Sequence, residues 1–356
     1  MKTIATVVGA RPQFIKVAPV SRALAETSGI REVLIHTGQH FDASMSDVFF
    51  EELGIAAPDH NLEISGGGHG AMTGAMMQAL EPVMEQTKPD MVLVYGDTNS
   101  TLAGALVAAK LHIPIAHVEA GLRSFNRAMP EEINRIVADQ LSDVLFASTD
   151  SAVVNLEREG VPADKVHRVG DVMFDAALMF SRVAAERGDI LAKYGVEPKR
   201  FILATVHRAE NTDDVERLQN IVAALEQVAT EMPVILPLHP RTAGRMKSAG
   251  LAFEKVKTVP PIGYLEMVAL ESQAALIATD SGGVQKEAFF YSVPCVTLRD
   301  ETEWVELVDM GWNRLASPKN GGLARSVLDA IGTRGRAGTP YGDGNAAKAI
   351  ASIIAA

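Results

Sequence analysis

The sequence predicts an α/β protein of two Rossmann-like domains, each built on a parallel sheet. Three observations predict it. Short apolar runs alternate with segments of helical periodicity along the whole chain, the pattern left by parallel strands joined through crossover helices. A chain of 356 residues with 47% hydrophobic content supports two cores. Polar and charged residues follow directly on the apolar runs in both halves, which implies a ligand site in the cleft between the domains.

Composition narrows the possible partners. The one cysteine, Cys295, excludes a disulfide framework and leaves no cysteine cluster for a metal centre. A net charge of −11 argues against nonspecific binding to nucleic acid or to an anionic membrane. No apolar run approaches the ~20 residues that cross a bilayer, so a soluble, cytoplasmic protein is expected. The opening residues resemble the start of a signal peptide, but Gly9-Ala10-Arg11-Pro12 interrupts them, and residues 3–8 read as the first strand.

That strand and the helix after it meet at a βα turn without the full G-x-G-x-x-G spacing, so no dinucleotide cofactor is expected. Arg11 and Lys16 lie at or just beyond the turn, within reach of a phosphate, although Lys16 also suits a solvated helix face. The second strand ends in His36 and runs into Thr37-Gly38-Gln39-His40. A glycine-rich loop, residues 66–70, precedes a helix over 71–85.

Residues 91–95 and 113–118 are strands that end at Asp97 and Glu119, so two carboxylates stand at neighbouring strand ends. Glu131 follows Pro130 at the start of the next helix, where it serves equally as first-turn capping chemistry. Three acidic positions from three units, converging on one edge, suit the holding and transfer of a proton. A strand over 144–147, a helix over 152–159, a strand over 166–169 and a long helix over 171–187 complete this half. The first domain is expected over 1–172 together with a returning C-terminal helix, 345–356, and the second over 173–344.

The second half repeats the rhythm. A strand over 201–206 ends at His207 and Arg208, placed to meet a pyrophosphate, though a histidine here also braces a turn. A helix over 215–230 starts from Asp213 or Asp214, and the strand over 234–238 ends at His239. The run 274–278 then breaks at Asp280-Ser281-Gly282-Gly283 and enters a helix. Free N–H groups at such a turn, with Ser281, Gly282 and Gly283 allowing close approach, make an anion site, and Glu287 one turn on suits ribose hydroxyls. A last strand, 294–298, ends at Arg299.

Taken in order, Gly9-Ala10-Arg11-Pro12-Gln13-Phe14-Ile15-Lys16, Thr37-Gly38-Gln39-His40, Tyr95-Gly96-Asp97-Thr98, His117-Val118-Glu119-Ala120-Gly121-Leu122-Arg123, Pro130-Glu131-Glu132-Ile133-Asn134-Arg135, His207-Arg208-Ala209-Glu210-Asn211 and Asp280-Ser281-Gly282-Gly283-Val284-Gln285-Lys286-Glu287 resemble the non-hydrolysing UDP-N-acetylglucosamine 2-epimerases over almost the whole chain. The resemblance implies a glycosyltransferase-B-like fold, a cytoplasmic homodimer, and interconversion of UDP-GlcNAc with UDP-ManNAc for surface polysaccharides. It implies elimination of UDP to 2-acetamidoglucal and its re-addition, without NAD or a metal. Asp97, Glu119, Glu131 and His207 would be catalytic. Arg11, Lys16, Arg135, Arg208, His239, Ser281, Gly282, Gly283, Glu287 and Arg299 would bind substrate.

Two departures qualify the resemblance. Many bacterial members carry Thr-Glu-Arg where this chain has Thr302-Glu303-Trp304, so the arginine contact is lost or supplied by another group such as Arg299. Asp42 and the His69 region stand where the substrate-activated branch has a glutamine and an arginine, which argues against activation at a second site. The Thr37-to-Asp42 stretch, Arg123-Ser124-Phe125-Asn126 and Glu303-Trp304-Val305-Glu306 look closer to relatives acting on UDP-2,3-diacetamido-2,3-dideoxy-glucuronic acid, the alternative substrate. A UDP-sugar glycosyltransferase, which shares the fold but needs an acceptor, is a third reading.

Overall fold

The structure is a computed structural model, and it describes residues 1–39, 54–188 and 190–356. His40, Phe41 and Asp42 of the sequence motif lie outside the described residues. The chain divides into two compact units, Met1–Ala176 with Thr339–Ala356, and Ala177–Gly338.

Among the described residues, the first unit holds seven strands, β1 (Lys2–Val8), β2 (Ile30–His36), β3 (His60–Asn61), β4 (Met91–Tyr95), β5 (Ile115–Ala120), β6 (Val144–Ala147) and β7 (Val166–Arg168). They form one sheet in the order β3-β2-β1-β4-β5-β6-β7, and its strand pairs are parallel. The order reverses between β1 and β4, the place where open α/β sheets hold their ligands. Val7, Val94, Val33 and Leu80 belong to a fully covered core, because a parallel sheet with helices on its faces buries both sides.

The last helix, Ala346–Ala355, packs against the first, Arg11–Glu26. Its cap comes from elsewhere in the chain. The Asn345 side chain makes no capping bond, and Asp175 instead accepts from the N–H groups of Ala346 (3.2 Å) and Ala347 (2.9 Å). Burial pushes the Asp175 carboxyl up to about 6 despite those two donors.

The second unit holds β8 (Ile202–Thr205), β9 (Val234–Pro237), β10 (Lys257–Val259), β11 (Leu276–Thr279), β12 (Cys295–Thr297) and β13 (Asn313–Leu315), paired in parallel in the order β10-β9-β8-β11-β12-β13. Alternate residues serve opposite faces. Ile202, Ala204, Leu276, Ala278 and Val296 join one core cluster, while Leu203, Ile277 and Cys295 join another. Each such leucine or isoleucine is worth roughly 1.5–3 kcal/mol over an exposed one. The switch point here lies between β8 and β11, so the turn after Thr205 and the turn after Thr279 are neighbours. Among the described residues, no helix is long and apolar enough to cross a membrane.

Candidate active-site residues

In the first unit the site begins where β1 ends. Gly9 is required by packing, since a Cβ there would come within 1.9 Å of Thr37 Oγ1 and 2.3 Å of Ser100 Oγ. The Gln13 side chain ties this turn to the end of β4: its Oε1 accepts from the N–H groups of Gly9 (2.8 Å) and Ala10 (3.0 Å), and its Nε2 donates to Tyr95 O (2.8 Å). Arg11 opens the helix Arg11–Glu26. Lys16, further along that helix, is no solvated residue. It is largely buried and its ammonium pairs directly with Glu119. Burial opposes the charge, yet Glu119 and Asp97 outweigh that and hold the ammonium above the usual lysine value.

Glu119 has a left-handed backbone, φ 70°, uncommon for a residue with a side chain. Such strain persists only where surrounding contacts hold it, and it clusters at functional sites. Asp97 pairs with Arg135, whose guanidinium also reaches Glu132 at 3.0 Å. Asn134 Nδ2 donates to the Asp97 carbonyl at 2.8 Å. The helix Pro130–Leu141 therefore grips the Asp97 turn by two side chains. Its two adjacent glutamates diverge. Glu132 is buried and accepts from the N–H groups of Ser124 (2.9 Å) and Phe125 (2.9 Å), whereas Glu131 is exposed at the first turn. Burial opposes ionisation of Glu132, but these donors and Arg135 overcome it and hold the carboxyl below the ordinary range.

In the second unit, His207 and Arg208 follow β8. Their N–H groups both donate to the buried Asp280 carboxylate, at 3.0 Å to Oδ2. Asn211 Nδ2 donates to the same oxygen at 3.1 Å. Asp280 thus fixes the neighbouring turn from inside. His207 is left 43% exposed, its ring 6.2 Å from that of His239, which caps the helix Pro240–Ser248 by accepting from Arg241 N–H.

Ser281 is the N-cap residue of the helix Gly282–Phe290, and its side chain makes no capping bond. A Cβ on Gly282 would lie 2.4 Å from Glu303 Oε1, so a side chain there displaces that carboxylate. Glu303 joins Arg208 (3.3 Å) to Arg299 (2.7 Å), and Arg299, nearly buried, also pairs with Glu210 at 3.1 Å. Trp304 donates from Nε1 to Gly282 O at 2.8 Å, and Lys286 Nζ lies 4.6 Å from the centre of its ring, so the departure at Trp304 bears directly on the glycine turn. Glu287 is almost wholly buried, and burial raises its carboxyl to about 7 although Lys286 pulls the other way. Glu271, also buried, is raised well above the ordinary glutamate value by burial and by Glu287.

The sequence passed over Gln13, Asn134 and Asn211. Each is a polar residue inside an apolar or helical pattern, and that mismatch was the available signal.

Two parallel sheets of reversing order, with nucleotide-suited turns at their switch points, define a glycosyltransferase-B-like fold of the kind that handles nucleotide sugars. The chain belongs to the UDP-N-acetylglucosamine 2-epimerase family, whose sequence profile matches residues 22–355, and it is an isomerase. It is 54% identical to the UDP-2,3-diacetamido-2,3-dideoxy-D-glucuronate 2-epimerase of Pseudomonas aeruginosa, over 99% of each chain. It is 43% identical to the UDP-N-acetylglucosamine 2-epimerase of Methanocaldococcus jannaschii, covering 99% of this chain and 98% of that one. The solved structure of UDP-GlcNAc 2-epimerase from that organism matches with a TM-score of 0.91 at 42% identity, covering 100% of this chain and 99% of the other. The structure of the Neisseria meningitidis enzyme bound to UDP-GlcNAc matches with a TM-score of 0.86 at 31% identity over 100% of both chains.

Proposed function

We propose that the protein is a 2-epimerase of UDP-2,3-diacetamido-2,3-dideoxy-glucuronate, the substrate the sequence offers as its alternative, in preference to UDP-GlcNAc. The 54% identity to the Pseudomonas aeruginosa enzyme, end to end, carries this reading. The Thr302-Glu303-Trp304 segment supports it, since Trp304 stands beside the glycine turn where many UDP-GlcNAc enzymes carry arginine. The M. jannaschii relative favours UDP-GlcNAc as the second reading, at lower identity.

The reaction is the one the family resemblance implies. A carboxylate takes the C2 proton, the C1–O bond breaks with its electron pair leaving on UDP, and a C1=C2 double bond forms. UDP oxygen then returns to C1 and a proton is delivered to the opposite face of C2. Asp97, Glu119 and Glu131 are the acid–base groups of this reading, with Lys16 and Arg135 beside two of them. His207, Arg208, His239, Ser281, Gly282 and Gly283 hold the diphosphate, Glu287 the ribose, and Arg11 and Arg299 add positive charge. A cytoplasmic homodimer, with precursor supply for surface polysaccharide as its role, belongs to the same reading.

The test is kcat/KM for the two UDP-sugars. The expected result is a preference for the diacetamido-glucuronate of at least tenfold; a preference for UDP-GlcNAc transfers the assignment to the second reading.

A further inference from the structure

His117 is a polar residue in the middle of a buried strand, and the reaction as written gives it nothing to do. It lies on β5, two residues before Glu119, and is wholly buried. Its Nδ1 lies 2.7 Å from Asp139 Oδ1, and its Nε2 lies 2.7 Å from the carbonyl oxygen of Gly96, the residue before Asp97. Both partners are acceptors. A neutral imidazole carries one N–H and one lone pair, and a lone pair facing a carbonyl oxygen at that distance is repulsive. Holding both contacts therefore calls for a donor on each ring nitrogen.

The charges around it balance. Asp139 faces His117 on one side and Arg123 on the other, at 2.7 Å, and Arg123 continues to Glu159 with bonds of 2.7 and 2.5 Å. Burial works against the Asp139 charge, but His117 and Arg123 outweigh it and hold the carboxyl below its ordinary range. Arg123 is spent in this network.

The network grips both carboxylate-bearing turns. Through His117 it holds the Gly96 carbonyl, and through Asp139 Oδ2 it accepts from Gly121 N–H, two residues after Glu119, at 3.1 Å. The Gly121 turn is closely packed, since a Cβ there (φ 80°) would lie 2.4 Å from Ala152 O. The Gly96 peptide sits beside the ion pair: a Cβ on Gly96 (φ 60°) would lie 3.3 Å from Glu119 Oε2 and 3.4 Å from Lys16 Nζ. A shift of the Gly96 peptide moves Asp97, its neighbour in the chain.

We propose that His117 is a positioning residue that, donating to Asp139 and to the Gly96 carbonyl, locks the Asp97 and Glu119 turns in register for proton transfer at C2. It touches no substrate. Its catalytic consequence rests on the 2-epimerase reading; its hydrogen bonding does not.

The test has two arms. Nitrogen-15 NMR of the histidine rings in the unliganded protein, with His117→Gln for assignment, is expected to find a hydrogen-bonded N–H on each His117 nitrogen. One protonated and one bare nitrogen overturns the proposal whatever the substrate is. The groups that face the ring or its partners are Asp139, Arg123 and Glu159, with Lys16, Glu119 and Asp97 beyond the turns. In the second arm, His117→Leu is expected to lower kcat about 100-fold, the scale of a small misplacement of reacting groups, with KM and UDP affinity within threefold of the parent. His117→Gln, whose amide nitrogen reaches toward the Gly96 carbonyl, is expected to recover at least tenfold of that loss. Parental kcat in His117→Leu, or no recovery in a folded His117→Gln, overturns it. Should the parent protein turn over neither UDP-sugar, the epimerase reading fails, and the NMR arm still decides whether His117 donates to both turns.

Discussion

Replacing Asp280 by asparagine tests whether the nucleotide turn of the second unit is built from the inside. Asp280 is fully buried, and one oxygen accepts from His207 N–H, Arg208 N–H and Asn211 Nδ2 at 3.0, 3.0 and 3.1 Å. Its other oxygen faces His207 N–H and Nδ1 at 3.1 and 3.3 Å. An asparagine that keeps its carbonyl oxygen on the crowded side retains those three bonds as neutral ones and turns an NH2 toward His207, where a donor meets a donor. Hydrogen bonds to a charged group are worth about 1.5–3 kcal/mol net and neutral ones about 1. The expected cost is therefore about 2–3 kcal/mol, or about 5–10 °C in the melting of a unit of this size. Because the bonds that fix the His207 and Arg208 backbone weaken and the contact facing His207 is lost, UDP affinity should fall about 10- to 100-fold by calorimetry. A variant with parental melting and parental UDP affinity would refute the assignment of Asp280 as the brace.

Three further outcomes are expected. Asp97→Asn should abolish C2 exchange while UDP affinity stays within about threefold, since hydrogen-bonding shape is kept and only the ionisable group is lost; full turnover removes Asp97 from the chemistry. Gly9→Ala should cost about 1–3 kcal/mol, because its Cβ would overlap Thr37 and Ser100, and should lower kcat as the turn yields; a neutral melting curve would show that the turn has room. The raised Glu287 value carries a pH signature. A carboxyl whose folded value is lifted from 4.5 to about 7 contributes stability that is full below its unfolded value and is lost as pH rises through the folded one. The second unit should thus lose stability over that window, and Glu287→Gln should flatten the profile; an unchanged slope in the variant would place the titration elsewhere.

Much of the fold was legible because buried parallel strands are near-continuous apolar runs, and in such runs the first polar residue marks the sheet edge. The strand ends near Asp97, Glu119, His207 and Asp280 were found this way. The two-residue strand β3 and the strand β13 left no comparable signal, being too short to show periodicity. Side-chain direction was not legible either. Glu131 and Glu132 are adjacent and chemically identical, and only the loop at Ser124 and Phe125 decides which one is buried. Asp280 reads as part of an anion-binding turn, yet its carboxylate faces inward and holds backbone N–H groups of the neighbouring strand end. Arg299 stands at a strand end as expected, and its guanidinium is engaged by Glu210 and Glu303, a pairing that long sequence separation conceals. His117 lay in plain view inside a recognised motif, but its meaning depends on Gly96 and Asp139, brought to it from β4 and from the helix Pro130–Leu141.

The most direct test of the central claim, epimerisation at C2 through loss and return of UDP, is proton NMR of the purified protein with UDP-2,3-diacetamido-2,3-dideoxy-glucuronate in deuterated water. The expected spectrum shows both C2 epimers as intact UDP-sugars with deuterium at C2. Epimers that keep protium at C2, or free sugar and UDP accumulating in place of the second epimer, would contradict it.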